Sequence, residues 1–394
     1  MSREEPGMQG VYEYFPLERV IFGERIETAL RRELDQLAAN RVFVLASNTL
    51  SRQTDALARV KDVLGNRFAG VFDEMPAHSP RSALLKALEM AREAKPDLLV
   101  SLGGGSSIDG AKLLQVGLAE NIASHRDFDA FHAQRGPDGQ IFVPQIRDTG
   151  LRQIAIPTTL SGAEYTTTGG SVDDVAHKKD LYIARQLVPV AVILDPSISR
   201  LTTEWLWLST GFRAVDHAVE SICSPTANPF TDATCIHGLR LLQRSMRRTR
   251  KAPDDLDARL QSQMGTWLST SGMGRGQHGA SHGISYSLAA IADVPHGHCS
   301  CVLLPATMRF NAKVNAERQA IVSEALDRPG QPAADALLEL LEELGLPRRL
   351  RDVGVKREQL EPIAKTVIAT GQARFNPRPV REPSDVLEIL ESAW

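Results

Sequence analysis

Apolar residues fall into two textures along this chain. In the first half, short continuous apolar runs alternate with stretches of helical spacing. Arg41-Val42-Phe43-Val44-Leu45-Ala46, Phe68-Ala69-Gly70-Val71-Phe72 and Asp97-Leu98-Leu99-Val100-Ser101-Leu102 read as strands. The last is almost continuously apolar, as expected of a strand covered on both faces. A helix begins at Asp55-Ala56-Leu57-Ala58-Arg59-Val60, and a longer amphipathic one runs from Ser82 to Ala94. Gln153 to Ile156 and Val190 to Leu194 fit further strands. Strands alternating with helices predict a mostly parallel sheet. After Asp195-Pro196, from about Thr202, the pattern turns almost wholly helical. Leu337 to Leu344 has helical spacing and stops at Gly345, with Pro347 just beyond. These patterns predict an α/β N-terminal domain with a parallel Rossmann-like sheet over residues 1–199, then an all-α C-terminal domain over residues 200–394. Ala133 to Arg147, rich in Gly, Pro and Gln, reads as a surface loop.

Composition narrows the class. A chain of 394 residues exceeds one ordinary core. Its 42% hydrophobic and 24% charged residues are those of a globular protein. A net charge of -3 gives no reason to expect nucleic acid or a membrane surface as partner. The basic run Arg244 to Lys251 reads as a solvated helix end. Cys223, Cys235, Cys299 and Cys301 include no pair with the gap of a zinc knuckle or a two-cysteine redox motif. So few cysteines fit a reducing cytoplasm. Met1 to Gly10 is polar and acidic, unlike the apolar core of a signal peptide. No apolar run approaches the roughly 18 residues of a membrane span.

Chemistry enters at the end of the third strand. Leu102 runs straight into Gly103-Gly104-Gly105-Ser106-Ser107-Ile108-Asp109, and the residues beyond read as a helix. Glycine lets backbone approach a phosphate closely, and a helix start offers free N–H groups and partial positive charge. Strand, glycines and helix start together predict a pyrophosphate cradle, although the Gly-x-Gly-x-x-Gly fingerprint is absent. A second polar segment, Pro157-Thr158-Thr159-Leu160-Ser161-Gly162, follows the strand ending at Ile156 and suits ligand binding at the sheet's rim.

Six of the ten histidines lie in the helical half. His278 and His282 stand four apart, which on a helix puts both imidazoles on one face. His296 sits in Pro295-His296-Gly297, and His217 in Arg213-Ala214-Val215-Asp216-His217. Imidazoles are the commonest ligands of divalent metals. Spacing alone leaves a shared site and unrelated structural histidines both open.

With these motifs in view the chain resembles the iron-containing alcohol dehydrogenase family, which also holds glycerol dehydrogenases and maleylacetate reductases. The resemblance runs from Val20-Ile21-Phe22-Gly23 to Phe375-Asn376-Pro377-Arg378-Pro379. It implies a dehydroquinate synthase-like fold and a homodimer. It also implies that Gly104, Gly105, Ser106 and Asp109 hold a dinucleotide, with Thr158, Thr159 and Ser161 contacting it. The turn that discriminates NAD from NADP maps to Ala46-Ser47-Asn48-Thr49. No carboxylate stands there, so Ser47 is left as a cofactor contact and both cofactors stay open. The family's iron or zinc would fall to His217, His278 and His296, but its aspartate ligand is Arg213 here. Arginine cannot ligate a metal and keeps its charge. Whether a divalent metal binds is therefore an open question. In this respect the chain is most similar to the maleylacetate reductases, which lack a full ligand set.

The expected activity is reversible hydride transfer between a nicotinamide and a carbonyl or alcohol carbon of a small, carboxylate-bearing substrate. Arg213, His217 and His278 would stabilise the oxygen's charge, and His282 would relay the proton. The alternatives are a metal-dependent primary alcohol dehydrogenase, a cofactor-binding protein without turnover, and a lyase of the dehydroquinate synthase kind.

Overall fold

The computed structural model describes residues 11–135, 141–176, 178–270, 279–371 and 373–394. The first half contains β1 (Arg19–Phe22), α1 (Ile26–Gln36), β2 (Val42–Ser47), α2 (Asn48–Gln53), α3 (Ala56–Leu64), β3 (Phe68–Met75), α4 (Arg81–Ala94), β4 (Leu98–Gly103) and α5 (Gly105–Ala119). It continues with a small antiparallel pair, β5 (Gln134–Arg135) with β6 (Ile141–Phe142), and then β7 (Arg152–Pro157). An antiparallel hairpin of β8 (Thr168–Asp173) with β9 (Lys178–Ile183) follows, and β10 (Ala191–Leu194) ends this half.

Six strands form one all-parallel sheet in the order β1-β10-β7-β4-β2-β3. The strand period of two explains the apolar runs. Val42, Val44 and Ala46 pack with α1 and α3, while Phe43 and Leu45 pack with α4 and α5 on the other face. Each side chain of this size stabilises the fold by about 1.5–3 kcal/mol when fully buried. A strand sandwiched in this way has no polar face to show. Register matters as well. Ala46 stands opposite Leu102, and Gly103 opposite Pro157, so β2, β4 and β7 all end on one rim.

The second half is helical: α6 (Pro196–Ser199), α7 (Glu204–Cys223), α8 (Pro229–Lys251), α9 (Leu256–Ser269), α10 (Ala280–Ala292), α11 (His296–Ala325), α12 (Ala333–Leu344), α13 (Leu360–Thr370) and α14 (Pro383–Ser392). Helix α7 is buried on nearly every side from Trp207 to Cys223, so its polar residues face other protein rather than water. Helix α12 stops at Gly345, whose φ of 67° is the left-handed cap that glycine supplies without strain. No helix of the described residues is long and apolar enough to cross a membrane.

The structure adds one hairpin that the pattern did not show and corrects the expected loop. The β8–β9 hairpin lies in a Gly-rich, polar stretch whose alternation is too weak to read. The loop expected over Ala133–Arg147 carries the short β5–β6 pair. Helix α10 begins at Ala280 with Gly279 as its N-cap. His278, expected to share a helical face with His282, lies outside the described residues.

Candidate active site

The glycine run folds as a close-approach turn. Gly103 has φ 151°, and a Cβ there would stand 2.5 Å from Ser107 Oγ and 3.4 Å from Ser47 Cβ. A Cβ on Gly104 would stand 2.9 Å from Thr159 Cγ2, and one on Gly105 3.1 Å from Ser161 Oγ. The two segments singled out from sequence therefore touch, and a side chain at Gly103 or Gly104 would force its neighbours to shift. Gly104 is the N-cap of α5 and has no side chain to satisfy the helix's first N–H groups. Thr158 and Thr159 are buried at the rim; Thr158 N–H donates to Gly103 O at 3.0 Å, which ties β7 to the turn. Ser47 caps α2 by accepting the Leu50 N–H. Ser106 turns its hydroxyl towards the neighbouring loop, where it accepts the His78 N–H at 3.0 Å. Burial raises the Asp109 carboxyl, against the pull of Lys112, Lys179 and the Gly170 N–H.

One further glycine joins the cradle to the histidines. Gly162, at φ 76°, is placed so that a Cβ would stand 3.6 Å from His217 Nδ1. The His217 ring lies 4.9 Å from that of His282, with 29° between their planes. His282 is buried, and its Nδ1 pairs with Glu220 Oε2 at 2.7 Å. Glu220 also accepts the Gly279 N–H at 3.0 Å and the Ser281 N–H at 2.9 Å, at the N-terminus of α10. Asn376 Oδ1 takes the Ala280 N–H. Burial, and then the charge of Asp216, push Glu220 up to about 8. The N–H groups of the helix start pull the Glu220 carboxyl towards its charged form.

Arg213 stands one turn before His217 on α7. It is partly buried, and its Nη1 lies 3.1 Å from Ser300 Oγ and 3.4 Å from Ser285 Oγ. Ser300 donates in turn to Asp216 Oδ2 at 2.6 Å, and Ser281 donates to the same oxygen at 2.8 Å. Burial pushes Asp216 up to about 6, while Arg213 and the two hydroxyls pull it down. Arg213 neither pairs directly with Asp216 nor points away from the site.

His296 opens α11. Its Nε2 lies 2.9 Å from Lys179 Nζ, and its ring meets that of His78 at 5.2 Å, edge to face. Lys179 comes from β9 and also sits 5.5 Å over the Tyr286 ring. Burial and the charge of Arg213 lower Lys179 to about 8, although Asp109 pulls the other way. Lys179, burial and Arg213 together hold His296 well below the ordinary imidazole range. Sequence reasoning missed Lys179, Glu220, Ser285 and Ser300. Each is an ordinary residue in its own segment, and only the packing of the hairpin and three helices gathers them.

The comparisons agree with this geometry at both ends of the chain. Residues 17–196 match the family model for "Iron-containing alcohol dehydrogenase", and residues 207–394 match "Fe-containing alcohol dehydrogenase family, C-terminal". The chain belongs to the iron-containing alcohol dehydrogenase family. It is 30% identical to Dehydrogenase FUM7 of Gibberella moniliformis, over 91% of each chain. It is 28% identical to a maleylacetate reductase of Pseudomonas sp. (strain P51), over 95% of each. A crystal structure of the maleylacetate reductase from Agrobacterium tumefaciens superposes with a TM-score of 0.81 at 27% identity, covering 98% of this chain and 99% of that one. The protein is accordingly an oxidoreductase of the class that acts on alcohol and carbonyl groups.

Members of this family usually hold a divalent metal. At the position where the resemblance places the ligand set, the described residues do not fit one, whereas a separate buried group, Asp216, Glu220 and His282, brings ligand atoms within 4.8 Å of one another. The position of the aspartate ligand is Arg213, which has no lone pair to give. The Nε2 of His296 is in contact with the Lys179 ammonium. A dication placed there would meet two cations in a partly desolvated site, where repulsion is weakly screened. Both Glu220 oxygens and Asp216 Oδ2 are engaged by hydroxyl and backbone donors, while Asp216 Oδ1 is buried without a hydrogen-bond partner among the described residues.

Proposed function

We propose that this enzyme reversibly reduces the carbonyl of a small, carboxylate-bearing substrate with NADH or NADPH, and that fixed protein charge replaces the metal. The observation that carries this reading is the pair of cations, Arg213 and Lys179, set against His296 where a ligand set was expected. The names of its maleylacetate reductase relatives support an oxo-acid substrate. In this reading Gly104, Gly105, Ser106, Asp109, Thr158, Thr159, Ser161 and Ser47 hold the dinucleotide. The glycines keep side chains out of its path, and α5 turns its N-terminal N–H groups to the pyrophosphate. No carboxylate at Ser47-Asn48-Thr49 repels a 2′-phosphate. Bound nicotinamide supplies or accepts the hydride.

The chain's own residues do the rest. The free edge of Arg213 stabilises negative charge as it grows on the carbonyl oxygen, or forks onto the substrate carboxylate. Among the described residues its Nε and Nη2 donate to nothing. Lys179 adds a second positive charge beside a neutral His296. Glu220 fixes the proton of His282 on Nδ1, which orients that imidazole for proton relay beside His217. His278 keeps its expected place in the site as part of the proposal. The four cysteines are buried thiols outside any disulfide among the described residues, in keeping with a cytoplasmic setting, and a homodimer is the proposed assembly.

The test is turnover of a panel of oxo acids and uncharged aldehydes with each cofactor, before and after exhaustive chelation. Activity on oxo acids that survives chelation, with loss in Arg213→Ala, is expected. Activity abolished by chelation and restored by iron or zinc would sink the reading.

A further inference from the structure

The geometry points to Asp216 and Ser300 as positioning residues that hold Arg213 in its working orientation through a one-way chain of hydrogen bonds. The inference rests on the reading of Arg213 as the group that meets the substrate's charge.

The direction of the chain follows from the donors. Ser300 Oγ gives its single proton to Asp216 Oδ2 at 2.6 Å, so only lone pairs remain to face Arg213 Nη1 at 3.1 Å. Ser285 Oγ gives its proton to the Ser281 carbonyl at 2.7 Å, and so it too offers Arg213 only lone pairs, at 3.4 Å. Ser281 gives its own hydroxyl proton to Asp216 Oδ2 at 2.8 Å. Hydroxyls can usually rotate to donate or accept. Ser300 and Ser281 share Asp216 Oδ2, so turning either away costs a buried carboxylate one of its two donors, and hydrogen bonds to a charged group are worth more than neutral ones. Ser281, Ser285, Ser300 and Asp216 are all buried. One terminal nitrogen of Arg213 is thus clamped between two hydroxyls, and the opposite edge is left for the substrate.

The carboxylate at the end of the chain matters for charge as well as direction. Asp216 does not touch Arg213, so it does not consume the guanidinium in an ion pair. It polarises Ser300, which strengthens the bond Ser300 accepts from Arg213. Arg213 and Asp216 are three residues apart on α7, and Ser300 on α11 is what links them. A helix carrying arginine at this position without a carboxylate one turn on would place an uncompensated cation beside Lys179.

A double-mutant cycle tests the chain, read as kcat/KM for the preferred oxo acid together with the Kd of NADPH. Ser300→Ala and Asp216→Asn should each lower kcat/KM by roughly 10-fold or more, the loss of about one charged hydrogen bond. The Kd of NADPH should stay unchanged. Arg213→Lys keeps the charge but has no second terminal nitrogen. In that background, adding Ser300→Ala should cost at most about 2-fold more. Circular dichroism and Tm of each variant check the fold. Wild-type kcat/KM in Ser300→Ala and Asp216→Asn, alongside an inactive Arg213→Ala, would overturn the chain and leave the role of Arg213 standing. So would an undiminished Ser300→Ala loss in the Arg213→Lys background. Wild-type activity in Arg213→Ala would overturn the functional reading itself.

Discussion

Replacing Gly104 with alanine tests the proposed cofactor cradle apart from the rest of the molecule. The backbone there, φ -84° and ψ -167°, is open to any residue, so alanine brings no conformational penalty. The cost is contact alone. The new Cβ would stand 2.9 Å from Thr159 Cγ2 and 3.1 Å from Thr159 Oγ1, and ordinary contact begins near 3.4 Å. Thr159 must retreat by about 0.5 Å, yet it is 6% exposed and packed at the rim. Overpacking of this kind costs about 1–3 kcal/mol. Where it falls on the bound geometry, Kd for the dinucleotide rises by about 5- to 150-fold. Fluorescence titration with NADH and NADPH measures it directly. The flanking glycines set a scale. Gly105→Ala meets only a hydroxyl at 3.1 Å and should cost less, while Gly103→Ala adds a φ of 151° to a 2.5 Å contact and should cost more. Thr159→Ser removes the Cγ2 methyl, so Gly104→Ala with Thr159→Ser should recover part of the lost affinity. Wild-type affinity in Gly104→Ala, or no recovery in the double variant despite a folded protein, would refute the placement of the dinucleotide between these segments.

Other outcomes follow from the same geometry. Lys112 is fully buried and donates to the carbonyls of Ala163, Thr166 and Thr168. Lys112→Met strands those acceptors and should lower unfolding free energy by about 3 kcal/mol or more in urea titration, with the 163–168 loop opening first. Burial raises Glu164 to about 7, and its Oε2 has no partner. The folded state then holds a proton that the unfolded state releases, so the Glu164 contribution to stability falls as pH rises from about 4.5 to about 7. Glu164→Gln should flatten the Tm profile over that window, and an unchanged slope would count against a buried acid. Lys179→Met removes the cation nearest His296. It should raise KM for oxo acids by about 10-fold or more while sparing uncharged aldehydes, as steady-state kinetics would show.

How much of this was legible in advance depends on the distance over which each signal acts. The strands could be read because both faces of a buried parallel strand must be apolar, a local demand that leaves a local trace. The glycine run could be read for the same reason, since backbone that approaches a phosphate excludes side chains whatever surrounds it. Arg213 and His217 were visible as one turn of helix, and the loss of a metal ligand at Arg213 followed from residue chemistry alone. What surrounds Arg213 was not visible. Lys179 lies 117 residues from His296, and Ser300 lies 87 from Arg213. A lysine in a polar hairpin and a serine in a helix carry no mark of the partners that packing will give them. The sequence by itself determined the kinds of element, the glycine-rich turn after β4 and the arginine that stands where the resemblance places an aspartate ligand. Only the tertiary structure decided that a second cation would stand on His296, and that a chain of serines would tie Arg213 to Asp216. Those arrangements depend on where β9, α7, α10 and α11 meet, and no periodicity along the chain records that meeting.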